Sequence, residues 1–307
     1  MIASRLAVTE YTEMGMPFVK ICGVECFDVA KTFDCGQSFR FDEVKNSRHE
    51  AEFSGVAMGK CVSFAQDGDT VYVYNSTKSE FEAVWQYYLG LDMDYLDIER
   101  EIINIAQSEH TARAAEHGRG IRILRQDPFE ALISFIISQN NNIPRIKKLV
   151  EALSARAGEK IEISEAMEAH LSGVSSLCAF PSPEKIIELG IDGLADLKTG
   201  FRAKYIYDAV QKVLSGEIDL EKIKCSDNTE FVLEELCRIK GVGLKVASCA
   251  ALFGLERYDA FPIDVWIKRV AEKRFAGEEF SAARFGRYAG IAQQFLFYYE
   301  RYIGGRE

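Results

Sequence analysis

Leu236-Cys237-Arg238-Ile239-Lys240-Gly241-Val242-Gly243-Leu244-Lys245-Val246-Ala247 reads as the end of one helix, a glycine turn and the start of a second helix. Phe231, Val232, Leu233 and Leu236 set apolar side chains at helical spacing before the turn. The second helix is expected over roughly Lys245 to Leu255, and Asp227 or Asn228 caps the first. A Gly-Val-Gly turn opening a helix N-terminus points backbone N–H groups at one spot and makes an anion site. With basic neighbours, the anion that fits is a nucleic-acid phosphate. Arg238, Lys240 and Lys245 fall in positions 238–245 without an acid. Arg145, Lys147 and Lys148 form a second cluster, and Lys268, Arg269, Lys273 and Arg274 a third. One such cluster is an ordinary solvated face. Three of them near glycine turns and helix starts favour a DNA-binding face.

Lys245 adds something that a plain binding hairpin does not need. The partial positive charge of a helix N-terminus disfavours an ammonium, so a lysine there is a candidate amine nucleophile. A surface lysine touching phosphate fits the spacing equally well. Asp264, nineteen residues further on in Phe261-Pro262-Ile263-Asp264-Val265, reads as a helix N-cap. It reads also as a carboxylate able to stabilise a cation or guide a proton. An amine and a carboxylate beside a phosphate-gripping turn suggest attack on a sugar carbon of DNA through an oxocarbenium-like state.

The whole chain has 307 residues, which suggests about two domains. A hydrophobic share of 48% against 27% charged is an ordinary globular mix, with no apolar run long enough for a membrane span. The net charge of −10 argues against a non-specific electrostatic coat on DNA. The eight cysteines are scattered, which suits a reducing compartment. Cys22 and Cys26 lack a second ligand pair and read as strand packing. With no cysteine after Cys249, an iron–sulfur cluster near the C-terminus is excluded.

Taken in order, residues 1–16 read as an irregular tail. Short strands are expected over Gln37–Asp42, Ala51–Ser54, Cys61–Phe64 and Val71–Tyr74. Helices are expected over Ser79–Leu89 and Tyr95–Ala106, then from Pro128 through Ile137, with Asp127 as cap. More follow over Ile143–Leu153, from Pro183 to a stop at Gly190, from after Arg202 to about Leu214, and over Ser281–Tyr302. The fold class is therefore α+β. An antiparallel β-sheet domain with flanking helices (1–118) precedes a mostly α-helical domain carrying the hairpin (119–307).

These residues resemble the helix-hairpin-helix DNA glycosylases, most closely the 8-oxoguanine branch. The hairpin with Pro262-Ile263-Asp264-Val265 carries the superfamily resemblance. Cys35-Gly36-Gln37-Ser38-Phe39-Arg40, Arg125-Gln126-Asp127-Pro128, the stretch from Ser138 to Arg145 and Gly200-Phe201-Arg202-Ala203-Lys204-Tyr205 carry the branch. The resemblance implies that Lys245 attacks C1′, expels the base and forms a Schiff base that β-eliminates, with Asp264 supporting the charge. It implies that the Gly36 carbonyl accepts the N7–H of 8-oxoguanine, that Cys249 and Phe297 sandwich the extruded base, and that Gln293 reads its Watson–Crick edge. Asn140 and Phe201 would fill and wedge the gap, while Arg145 and Arg202 hold the orphaned cytosine. Gly241, Gly243 and Val246 would grip the backbone, and the carbonyls of Cys237, Ile239 and Val242 would hold a structural cation. No cofactor is required. The partner implied is duplex DNA with 8-oxoguanine opposite cytosine, met by a monomer inside the cell where the DNA is, with no membrane involved. Phe201 stands in place of an expected tyrosine and Trp266 in place of a histidine. Two rival readings remain: a monofunctional alkyl-purine glycosylase using Asp264 and water, and a non-catalytic DNA-binding hairpin protein that needs neither Lys245 nor Asp264.

Overall fold

Ala7–Glu13 (β1) and Met16–Cys22 (β2) form a hairpin, where the sequence suggested a tail. Met14 (φ 51°) and Gly15 (φ 83°) make its two-residue turn, both in the left-handed region that short hairpins demand. β1 lies at a sheet edge and is largely exposed on both faces, so it shows no apolar alternation. The computed structural model describes residues 6–171, 177–276 and 280–302. Phe41–Glu43 (β3), Ala51–Ala57 (β4), Lys60–Asp67 (β5) and Thr70–Tyr74 (β6) complete an antiparallel sheet of order β1-β2-β6-β5-β4-β3. The strand expected from Gln37 begins only at Phe41, because the Gln37 side chain is tied up elsewhere. Its amide donates to the Thr32 and Arg122 carbonyls at 2.9 and 2.8 Å and accepts from Leu124 N–H at 2.8 Å. Those three bonds hold residues 36–40 as a fixed turn.

One sheet face packs on the short helix Val29–Asp34 (α1) through stacked aromatics. The Phe33 ring lies 4.5 Å from Phe41 and 5.1 Å from Phe64, and Trp85 meets Phe64 edge-on at 5.5 Å. Phe64 is fully buried, so Phe64→Ala should remove ~3–5 kcal/mol of stability. Urea titration would read this as a lower midpoint with an unchanged slope; an unchanged midpoint would contradict the packing. Met167 and Leu171 cover the other face against Met16, Ala65 and Tyr74.

The helical part is built around Pro128–Ser138 (α2), buried continuously from Ala131 to Ser138. Asp127 caps it by accepting from Glu130 N–H at 2.8 Å, with Pro128 at the first position. Ile98 and Ile102 of the helix Tyr95–Ala106, and Ala114 and Ala115 of Glu109–Gly118, pack into the same apolar cluster as α2. Around it stand Ile143–Ala157 (α3), Ala203–Leu214 (α4), Thr229–Cys237 (α5), Leu244–Gly254 (α6), Val265–Arg274 (α7) and Ala289–Tyr302 (α8). The single helix expected over Ser281–Tyr302 is two: a 3-10 segment Ala282–Tyr288, then α8. Gly286 breaks it at φ 67°, a conformation that ends a right-handed helix. Gly190 (φ 64°) likewise interrupts Pro183–Asp196. The helix near Ser79 carries a π-turn at Phe81–Trp85.

Candidate active site

Asn228 caps α5 by accepting from Phe231 N–H at 3.1 Å, and the chain turns through residues 238–243 into α6. Val242 N–H donates to the Ile239 carbonyl at 3.0 Å to close the turn. Gly241 is required twice over. Its φ is 78°, and a Cβ there would fall 2.4 Å from the Tyr205 ring. Helix α4 braces the turn: Asp208 accepts from Lys240 N–H at 2.7 Å, and the Lys212 ammonium donates to the Arg238 carbonyl. Gly243 caps α6 without a side chain. The N–H groups of Leu244, Lys245 and Val246 therefore have no side-chain cap, and an anion would satisfy them.

Lys245, in the first turn of α6, lines a cleft of about 740 Å³ between α2, α6, α7, α8 and the Gly36 turn. Its Nζ lies 3.4 Å from Ser138 Oγ and 5.9 Å from the centre of the Phe135 ring. Asp264 lines the same cleft and caps α7, its Oδ1 accepting from Trp266 and Ile267 N–H, both at 2.9 Å. Burial pushes the Asp264 carboxyl above its ordinary value, against the pull of the Ile267 N–H and the Lys245 charge. The cap fixes the position of this carboxylate in the cleft.

Cys249, Gln293, Phe297 and Gly36 line the rest of the cleft. Cys249, one turn past Lys245, is buried, and burial holds its thiol above the usual range. Its thiol is neutral and polarisable. Phe297 stands on α8, with Gln293 one turn before it. Gln293 is 4% exposed and its Oε1 has no hydrogen-bond partner among the described residues. A buried amide oxygen left unpaired in a cleft is costly unless a ligand donates to it. Gly36 (φ 79°) borders the cleft from the N-terminal part of the chain. Two bonds fix its turn to α8: the Gln294 amide donates to the Cys35 carbonyl at 2.8 Å and the Tyr302 hydroxyl to the Asp34 carbonyl at 2.6 Å.

Asn140, exposed and at φ 52°, sits at the cleft edge. Arg145, Phe201 and Arg202 do not line the cleft but form one patch with the Asn140 loop. Arg202 is buried, with Nε donating to the Gln139 carbonyl at 2.7 Å and Nη1 to the Thr199 carbonyl at 3.0 Å. Its guanidinium lies 4.4 Å from the Phe201 ring, which is 49% exposed. Arg145 reaches the Lys198 carbonyl at 3.4 Å. Gly243 and Val246 line the cleft, whereas Cys237 at the end of α5 and Ile239, Gly241 and Val242 in the turn do not. Among the described residues the carbonyls of Cys237 and Val242 accept no backbone N–H outside helices, and no group of three or more His, Cys, Asp or Glu could hold a metal ion. All eight cysteines are free. The sequence reading passed over Ser138 beside Lys245, and Arg301, which lines the cleft on α8. The spacing Gln293, Phe297, Arg301 was the available signal, since i, i+4 and i+8 share a helix face.

Residues 21–132 match the family described as 8-oxoguanine DNA glycosylase, N-terminal domain, and residues 133–284 the HhH-GPD superfamily of base excision DNA repair proteins. The N-glycosylase/DNA lyase OGG1 of Arabidopsis thaliana is 30% identical over 299 residues, covering 87% of this chain and 75% of that protein. The structure of MBOgg1 in complex with a low-affinity DNA ligand is similar at a TM-score of 0.86, with 37% identity, over 98% of this chain and 99% of that one. The Clostridium acetobutylicum 8-oxoguanine glycosylase/lyase, in complex with duplex DNA containing cytosine opposite 8-oxoG, is similar at 0.85, with 36% identity, over 96% and 97%. With its sheet, hairpin, lysine and aspartate arranged as described, this chain belongs to the 8-oxoguanine DNA glycosylases of the HhH-GPD superfamily.

Proposed function

We propose that the protein is a bifunctional DNA glycosylase and AP lyase that removes 8-oxoguanine from duplex DNA. The observation that carries the reading is Lys245 with Asp264 in a cleft that Gln293 also lines, its amide oxygen unpaired among the described residues. The base must leave the stack to reach that cleft. Guanine-type bases present N1–H and N2–H donors, which suit the free Gln293 oxygen. Phe297 and Cys249 offer the two faces of a slot. The Gly36 carbonyl would accept N7–H; normal guanine has a lone pair there, so two acceptors would face each other unpaired.

In the reaction the free amine of Lys245 bonds to C1′ as the C1′–N9 bond breaks and the base departs with the bonding electrons. Asp264 stabilises the positive charge that develops on the sugar. Sugar ring opening gives a Schiff base between Nζ and C1′. Loss of a C2′ proton then expels the 3′ phosphate, which nicks the strand. Asn140 and Phe201 are assigned to the vacated gap, and Arg145 and Arg202 to the stranded cytosine, whose O2 and N3 accept. For Arg202 this role requires release from the Gln139 carbonyl. The turn N–H groups past Gly241 and Gly243, with Val246, are assigned to backbone phosphate. The carbonyls of Cys237, Ile239 and Val242 are the hard oxygen donors that a structural cation would take. No cofactor enters the chemistry. Among the described residues no helix is long and apolar enough to cross a membrane.

Borohydride should trap a covalent protein–DNA adduct on a duplex with 8-oxoguanine opposite cytosine, read as a shifted band on a denaturing gel. Excision without an adduct would favour the monofunctional rival, and binding without excision the scaffold. The presence of Lys245 in the cleft favours the bifunctional reading over both. Running all four opposing bases in the same assay also tests the Asn140, Arg145, Phe201 and Arg202 patch.

A further inference from the structure

We propose that Arg301 is a further specificity residue, donating from its guanidinium to the oxygen that oxidation adds at C8 of the damaged base. The inference rests on the 8-oxoguanine reading above. Arg301 lies in the last turn of α8 and lines the cleft. Its Nη1 stands 3.8 Å from the point a Cβ on Gly36 would occupy. The guanidinium carbon is 5.7 Å from the centre of the Phe297 ring and 4.8 Å from that of Tyr302. Those rings hold its plane, yet it makes no hydrogen bond or ion pair with another described residue. Two buried arginines, Arg122 and Arg125, contrast with it. Arg122 is spent on the carbonyls of Glu25, Cys26 and Gly90, and Arg125 on Asp92. A guanidinium carries five donors and no acceptor, so Arg301 presents an open donor edge to the cleft.

Placement on the helix says which edge of the base it meets. Gln293, Phe297 and Arg301 follow one another at intervals of four, on one face of α8. At about 1.5 Å per residue, Gln293 and Arg301 stand ~12 Å apart, with Phe297 midway. With Phe297 over the ring face and Gln293 at the N1–H and N2–H edge, Arg301 falls at the opposite end of the purine. Gly36 stands at that same end, and its carbonyl is assigned to N7–H. The carbon next to N7 is C8, so a donor beside Gly36 reaches the C8 oxygen. The bonds from Gln294 to Cys35 and from Tyr302 to Asp34 keep the two in register. Gly36 and Arg301 thus read the two atoms that oxidation changes, the proton on N7 and the oxygen on C8. As the C1′–N9 bond breaks, negative charge spreads over the departing imidazolone, including that oxygen. A cation there acts on the transition state more than on the bound ground state.

The test compares wild type, Arg301→Ala and Arg301→Lys in single-turnover excision from duplexes carrying 8-oxoguanine or 8-thioguanine, and in borohydride trapping on an abasic site. 8-Thioguanine keeps N7–H but offers sulfur, a weaker acceptor, at C8. Arg301→Ala should slow 8-oxoguanine excision by ~10- to 100-fold and 8-thioguanine excision distinctly less. The loss should fall on the rate at saturating enzyme, with Arg301→Lys recovering part of it. Trapping on abasic DNA should be unchanged, which also shows that the variant is folded. An unaltered 8-oxoguanine rate, or equal losses on the oxo and thio bases, would overturn the assignment. An equal loss on abasic DNA would move Arg301 to a backbone phosphate and overturn it too. A wild type that neither excises nor traps would sink the functional reading itself, whatever the variants do.

Discussion

Lys245→Gln is expected to abolish both excision of 8-oxoguanine and borohydride trapping, by at least ~10⁴-fold, because Lys245 is the amine proposed to bond to C1′. Duplex affinity should change little. The grip is assigned to the backbone of the turn, where Gly243 leaves the first N–H groups of α6 without a side-chain cap. Glutamine keeps much of the length and can still reach Ser138, so the cleft should keep its shape. Among the described residues no second lysine lines it within the base-binding part; Lys268 is exposed at the opening. Excision persisting in Lys245→Gln without trapping would mean that water, guided by Asp264, attacks the sugar. Trapping that persists would mean that another amine is the nucleophile.

Asp264→Asn should cut excision by ~10²- to 10⁴-fold at no cost in folding stability. The substitution separates two roles held by one side chain. Asparagine caps a helix about as well as aspartate, so the bonds to Trp266 and Ile267 survive and only the charge is lost. The sign of the stability effect follows from the direction of the shift. Burial raises the folded carboxyl above its ordinary 3.8, so the folded state holds that proton more tightly than the unfolded chain. Stability from the protonated form is complete below the unfolded value and is lost as pH rises through the folded one. At neutral pH, Asp264→Asn should therefore melt at or slightly above the wild-type temperature. Activity requires the ionised form, so the acid limb of the wild-type excision rate should lie above the ordinary aspartate value and vanish in the variant. A lower melting temperature with a preserved acid limb would refute this division of roles.

The elements that carry Lys245 and Asp264 were legible because their signals are local. Lys245 and Asp264 each belong to a short motif, and each motif states its backbone conformation through glycine or proline. The pocket wall was harder to read. Cys249, Gln293 and Phe297 look like core and surface positions of ordinary helices, and only the resemblance raised them. Arg301 lay beyond that reach as well. Its meaning comes from standing beside Gly36, and nothing in a helical stretch announces a neighbour from the other end of the chain. The missed β1 has a different cause. An edge strand exposed on both faces needs no apolar alternation, so Thr9 to Glu13 carry no pattern to detect. The break at Gly286 was hidden because one glycine within an aromatic-rich run reads as tolerable until its φ is known.

The bonds that tie the Gly36 turn to α8 join residues 259 and 268 positions apart. The hairpin, by contrast, closes between neighbours. During folding, the near contacts can form early, while the distant ones wait for the chain to bring its two ends together. A partly folded molecule would thus grip a duplex before it could judge a base. Heat or denaturant that loosens the Cys35–Gln294 and Asp34–Tyr302 junction should therefore lower base discrimination before it lowers duplex binding.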